Sequence, residues 1–234
     1  MSTRGRPTAR GTSTWLRGYT YVPSMHAYRG PNGRTVARST ILEKLADSIE
    51  QREKSIIRHA EALANGQLGG AQYVSLEHLL LKRQGLQEAA LAAGGWDRLT
   101  PADRGRVGAM LQHDIYPALA RQAHDAALGQ LSPAQAVNRA HMMMGTERAM
   151  GLQIEREHQP LPKEGSVRIA RRHLDPAAKN CDDCLGFAGR GWQPEEELPV
   201  PGTDAICDGN CRCSIEYKDV LASEIDQWVG QQYG

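Results

Sequence analysis

From Leu42 onward apolar residues recur at three-, four- and seven-residue spacings: Leu42, Leu45, Ile49, Ile56, Ala60 and Leu63. That spacing lays them along one stripe of a helix, which runs to the turn pair Asn65-Gly66. Thr40 with Glu43 three residues on reads as a capping box, so this helix is predicted to begin near Thr40. A second helical run, VSLEHLLLKRQGLQEAALAAGG, is stopped by Gly94-Gly95. A third opens at Thr100, with Pro101 at the first helical position and Asp103 three residues on. Pro117 is expected to kink or split that helix, and Ser132-Pro133 opens a fourth through AQAVNRAHMMMGTERAMGLQIEREH. Residues 39–160 thus read as a helical body.

The pattern changes on either side of this body. Beyond QPLPKEG, the segment SVRIARRH alternates as a strand does, an irregular stretch rich in proline and cysteine follows, and CRCSIEY alternates again. Residues 165–217 read as a small knuckle domain, too polar to fold on apolar burial alone. Residues 218–234 are predicted to form a C-terminal helix, with Val220, Leu221, Ile225, Trp228 and Val229 available to dock onto the body. Residues 1–38 read as an extended arm, interrupted by a short hairpin across HAYRGPNGRTVA, where Asn32-Gly33 suits positive φ. The arm offers too little apolar surface to offset its own ordering entropy, so a partner outside the chain is expected to hold it. The fold class expected is mainly α: a helical body, an extended N-terminal arm and a small C-terminal zinc-knuckle domain with short β-strands.

Composition sharpens this picture in two ways. Aromatics are 5% of the 234 residues, with a single Phe187, so alanine and leucine must do most of the packing. Charge is segregated: Met1 to Leu42 holds no acidic residue, while seven of the 28 Lys and Arg lie there, and the other 21 face all 27 acids. A basic arm therefore precedes an acidic body. Arg4, Arg6, Arg10, Trp15, Arg17, Tyr19, Tyr21, Tyr28, Arg29 and Arg34 are its candidate partner-binding residues. No apolar run follows the first arginines as in a secretory signal, and no stretch approaches the roughly 18 apolar residues of a membrane span.

Chemistry concentrates in the cysteines. All five lie near the C-terminus, as Cys181-x2-Cys184, then Cys207-x3-Cys211-x-Cys213. A C-x2-C pair presents two thiolates from one tight turn, and a second group closing a tetrahedron is the usual build of a structural zinc site. Zn2+ would replace the missing core, because binding free energy becomes folding free energy in such modules. Five thiols exceed four places. Cys181 and Cys184 are the firm ligands, completed by Cys207 and Cys211 with Cys213 packed behind. Alternatively Cys213 enters beside Cys211, since residues two apart on a strand face the same way. His173 is a further candidate. An odd cysteine count argues against a disulfide cluster, with plain buried thiols as the remaining alternative.

Catalysis finds no support. A zinc deaminase needs H-x-E followed by P-C-x-x-C, whereas Asn180 precedes this pair and His173-Leu174-Asp175 holds no Glu. No catalytic residue is assigned, and neither a Walker-type loop nor a dinucleotide fingerprint is present. Met142, Met143 and Met144, with Met150 further on, read as core filling or as an adaptable surface.

The run CDDCLGFAGRGWQPEEELPVPGTDAICDGNCRCSIEY resembles the C-terminal segment of tailed-phage minor head proteins, the Mu-F-like head-morphogenesis group. The shared features are the pair Cys181 and Cys184, Gly189 or Gly191, the loop LPVPG, and the signature Asn210-Cys211-Arg212-Cys213 before an alternating strand. Where the group usually carries His-Pro, this chain has Cys207 with Asp208-Gly209, one residue further out. The opening YRGPNGRTVARSTILEKL looks like the starts of phage structural proteins. The resemblance implies a non-enzymatic virion component of the head or neck, assembled in the bacterial host cytoplasm. Its expected partners are the portal or the major capsid protein in a symmetric assembly, with packaged DNA a further candidate. The alternative is a zinc-dependent nucleic-acid-binding protein gripping phosphates through the arm and Arg171, Arg172, Arg190 and Arg212.

Overall fold

The computed structural model describes residues 19–176, 180–201 and 213–229. It is mainly helical with two small antiparallel sheets. Three short strands, β1 (Thr20–Val22), β2 (Ala27–Arg29) and β3 (Thr35–Val36), form an antiparallel meander in that order. The predicted hairpin is there: β2 and β3 pair Tyr28 with Val36, and Gly33 turns the chain at φ 74°. The extended arm expected over residues 1–38 is corrected for residues 19–36, which form a small sheet docked on the protein's own helices. The remaining arm residues Arg4, Arg6, Arg10, Trp15 and Arg17 lie outside the described residues.

The docking device is one carboxylate. Tyr28 is buried and its hydroxyl donates to Asp97 Oδ1 at 2.6 Å, while the Arg38 guanidinium pairs with Asp97 Oδ2. Tyr21 stacks edge-on against Tyr28 at 5.3 Å, and Tyr28 packs with Ile41, Leu45 and Ala90. Burial and the adjoining Asp97 carboxylate raise the Tyr28 phenol above its ordinary value. Gly95 makes room for this junction. Its φ is +135°, and a Cβ there would lie 2.6 Å from Asp97 Oδ1 and 2.8 Å from the Tyr28 hydroxyl.

Helix α1 (Arg38–Ala64) follows β3 almost directly. Its start lies two residues before the predicted Thr40, and no side chain caps it, because the strand fixes the entry of the chain instead. Ile41, Leu45, Ile49, Ile56, Ala60 and Leu63 are buried along the stripe. Helix α2 (Gly70–Ala92) also starts earlier than read, and its extra turn buries Tyr73 completely. Helix α3 (Pro101–Met110) has the capping box at Thr100 and Asp103. His158 Nε2, 2.9 Å from Asp103 Oδ2, ties that end to a later helix. The expected split at Pro117 is a π-helical turn over Leu111–Ile115, followed by α4 (Tyr116–Ala127). Proline has no N–H to donate into a regular turn, and the widened one absorbs the mismatch. Helix α5 (Pro133–His158) opens on the Ser132/Gln135 capping box.

Helices α1, α2 and α5 pack against one another, with α4 on α2. Met143, Met144 and Met150 fill this core, whereas Met142 is partly exposed on a groove of about 570 Å³. Glu147 of α5 lies fully buried in the helical body. Around it stand Arg52 and Glu53 from α1, and Glu77 and Glu88 from α2. Arg148 pairs with Glu53 at 3.2 Å, and His59 Nδ1 lies 2.6 Å from Glu77.

The second sheet has the order β5-β4-β6, from β4 (Ser166–His173), β5 (Gln193–Pro194) and β6 (Ser214–Leu221). Ile169, Trp192 and Val220 form one apolar cluster, and Ala170, Leu198 and Ile215 form another. The predicted helix over 218–234 is corrected: Lys218–Leu221 belong to β6, and helix α7 covers Ile225–Val229. An eight-residue partner strand, paired from Ser166↔Leu221 to His173↔Ser214, satisfies that backbone and overrides the helical spacing. Trp228 does dock, but on this sheet, under the Lys218 ammonium. The Arg156 guanidinium joins α5 to the module by donating to the Leu198 carbonyl at 2.5 Å.

Two outcomes are expected from this architecture. Asp97→Ala leaves Tyr28 and Arg38 without their shared acceptor, at a cost of about 2–4 kcal/mol. Hydrogen exchange should show residues 19–36 losing protection first, and unchanged exchange there would count against the docking role. The second outcome is a pH dependence. Burial pushes the Glu147 carboxyl well above the usual range, and lifts Glu88 to about 7. A carboxyl raised in the folded state stabilises only while protonated; its contribution is complete below the unfolded value of about 4.3 and is lost as pH rises through the folded one. Urea denaturation should therefore show wild-type stability falling across this window. Glu147→Gln should flatten the fall, raising stability at pH 8 and changing it little at pH 4.5.

Candidate metal centre

The C-x2-C pair sits at the start of helix α6 (Asp182–Gly189), and Cys181 is its N-cap. The Cys181 sulfur accepts the backbone N–H of Cys184 at 3.4 Å, as a serine or aspartate cap would. That turn folds the second thiol inward, and Cys184 is buried while Cys181 is partly exposed. Cys213 stands immediately before β6, and strand pairing carries it back to the end of β4 and onto Cys184. Cys184 and Cys213 are both buried in one small cluster, flanked by Leu174 and Cys181. The Cys213 Sγ lies 3.7 Å from Asn180 Oδ1.

Three of the five cysteines named from the sequence are thus brought together, and Cys207 and Cys211 lie outside the described residues. Among the described residues, no group of three or more His, Cys, Asp or Glu is arranged to hold a metal ion. His173 turns elsewhere: its Nε2 lies 2.6 Å from Glu216 Oε2, and Arg171 donates to the same oxygen at 2.7 Å. Those two bonds hold Glu216 below the usual carboxylate range.

One participant was not singled out as belonging to this site. Arg172, on β4, is 3% exposed, and its Nη1 donates to Cys184 Sγ at 3.4 Å. Its Nη2 donates to the Pro199 carbonyl, and its guanidinium lies over the Phe187 ring at 4.7 Å. The only sequence signal was its place in SVRIARRH, where the arginines on a strand look interchangeable.

Of the partner-binding residues predicted for the arm, Arg29 and Arg34 are exposed and Tyr19 and Tyr21 partly buried. Tyr28 is corrected from surface to interior, because Asp97 and the apolar face of α1 enclose it. No helix among the described residues is long and apolar enough to cross a membrane. The chain matches no protein-family model, no curated protein and no solved structure.

Cys184→Ser and Cys213→Ser are each expected to destabilise the β4–β6 module by about 1–3 kcal/mol and leave α1–α5 folded. Hydrogen exchange resolved by segment checks this, with protection lost at 166–173 and 214–221 alone. Equal loss in α1–α5 would show the two regions to be one cooperative unit.

Proposed function

We propose that this protein is a non-enzymatic structural component of a tailed-phage virion, in the head or the portal-neck region, working through protein–protein contacts. The observation that carries the reading is the packing of Cys213 on Cys184. Cys213 ends the Asn-Cys-Arg-Cys signature that resembles the minor head proteins, and Cys184 ends the C-x2-C pair. The two separated halves of that sequence pattern are therefore neighbours in space, as a knuckle built on them requires.

In this reading the module binds one zinc ion through Cys181 and Cys184, completed from Cys207, Cys211 and Cys213. The ion would supply cross-linking, stabilising a module whose apolar clusters are small. Closed thiolate coordination fits a structural role. The exposed Arg29 and Arg34 offer cationic groups to acidic surfaces of portal or coat subunits. The nucleic-acid alternative gains less support. Arg171 is neutralised by Glu216, Arg172 is buried, and Arg190 lies over the Phe187 ring at 5.0 Å.

Mass spectrometry of purified virions is expected to find the chain, and elemental analysis of freshly reduced protein to return about one zinc per chain. Virions that lack it would sink the structural assignment, and protein without zinc would sink the metal reading on its own.

A further inference from the structure

We propose that the groove between the C-terminal half of α2 and the middle of α5 binds an organic cation, an alkylammonium group whose apolar stem lies along the groove. The inference is independent of the zinc and virion readings.

The groove holds about 350 Å³, within the range of small-ligand sites. Its apolar lining comes from Leu91 and Ala92 of α2 and from Gly151 and Leu152 of α5. Gly151 keeps the space clear, since a Cβ there would already touch Glu88 Cβ and Oε2 at 3.7 Å. Glu88 and Glu155 supply the carboxyls of the lining. Neither makes a hydrogen bond or an ion pair among the described residues. Arg148 also lines the groove, but Glu53 of α1 engages it at 3.2 Å. Close to Glu88 stands Glu147, fully buried, and neither of its carboxyl oxygens has a hydrogen-bond partner among the described residues.

Carboxyls taken out of water need compensation, and the surrounding side chains supply less than these three demand. Burial lifts the Glu88 carboxyl to about 7, with Arg148 pulling it down and Glu53 adding to the rise. A cation seated beside Glu88 would favour its ionised form and gain a charge-assisted hydrogen bond. A bare metal ion is a poorer fit, because no group of three or more His, Cys, Asp or Glu among the described residues is arranged to hold one. The apolar lining favours a cation that carries methylenes, and an ammonium on a short alkyl chain matches both parts. Such a group comes either from a lysine side chain of a protein partner or from a free amine.

Amide NMR shifts of the full-length chain at pH 8, titrated with n-butylammonium and with its neutral counterpart 1-butanol, test this. n-Butylammonium is expected to bind with a Kd of about 1–10 mM, a range open to so small a ligand, and to shift residues 88–92 and 148–155. 1-Butanol is expected to bind at least about tenfold more weakly. Glu88→Gln keeps the shape and removes the charge, and Gly151→Leu fills the groove. Each should weaken n-butylammonium at least about tenfold while circular dichroism stays that of wild type. No saturable shift, equal binding of 1-butanol, or unchanged binding by either folded variant overturns the proposal. Gly151→Leu decides if Glu88→Gln fails to fold. A blocked peptide with one lysine among glycines and serines separates the sources. Its binding at least as tightly as n-butylammonium assigns the site to a partner's lysine, and binding of the amine alone assigns it to free amines.

Discussion

Large apolar side chains are scarce in this protein, and its helices compensate by coming close. The decisive contact is Gly85 of α2 against α3 and α5. A Cβ at that position would meet Met110 Cε and Val107 Cγ1 at 3.3 Å and Glu147 Oε1 at 3.4 Å. Close approach through glycine and alanine brings long polar side chains into the interior, where Glu77, Gln84, Gln87, Gln122 and Glu147 are all buried. An apolar core of alanine and leucine can slide with little penalty, whereas the hydrogen bonds of Gln87 and Gln122 hold in one arrangement only. Arg52 and Ser48 on Gln87, and Gln122 on the Ala136 carbonyl, set the helices in register. Specificity is obtained at some cost in stability, a balance known for buried polar groups.

The same scarcity explains how the two ends of the chain attach. The first sheet lays Tyr28 on Ile41, Leu45 and Ala90, and each sheet is also tied to the helices through a charged junction. At the N-terminal side Asp97 holds Tyr28 and Arg38; at the C-terminal side Arg156 holds the Leu198 carbonyl and faces Glu195 at 3.7 Å. Such junctions are directional, so they orient the small sheets more sharply than a loose apolar patch could.

Much of the helical body was legible because two independent signals agreed in it. Where a side chain caps the helix, at Thr100 and Ser132, both the period and the boundary were read from sequence. Where the backbone alone sets the start, at Ala37 and Gly69, the period survived and the boundary moved. Val220, Leu221, Ile225 and Trp228 fit a helical stripe, yet the first two lie on a strand, because the eight residues of β4 supply hydrogen bonds that local spacing cannot reveal. Tyr28 and Asp97 are far apart in sequence, and no local pattern joins them. At the candidate site the cysteine spacing announced the chemistry. The role of Arg172 depends on which residue faces it across the sheet, and that is a property of register rather than of composition.

The position of β4 between its two neighbours sets an order of events during synthesis. Helices α1 to α5 all precede β4 in the chain, and α5 closes on α1 and α2, so the helical body can form before β4 emerges. Strand β4 and the Cys181–Cys184 turn are made next, but their partner is not. The edge of β4 and the inward-facing thiol of Cys184 wait for Cys213 and β6, which lie near the end of the chain. A ribosome that stops short of Ser214 therefore releases a helical body carrying an uncovered strand edge and a half-built cysteine cluster. Both are closed once β6 has been made and has paired along the whole of β4.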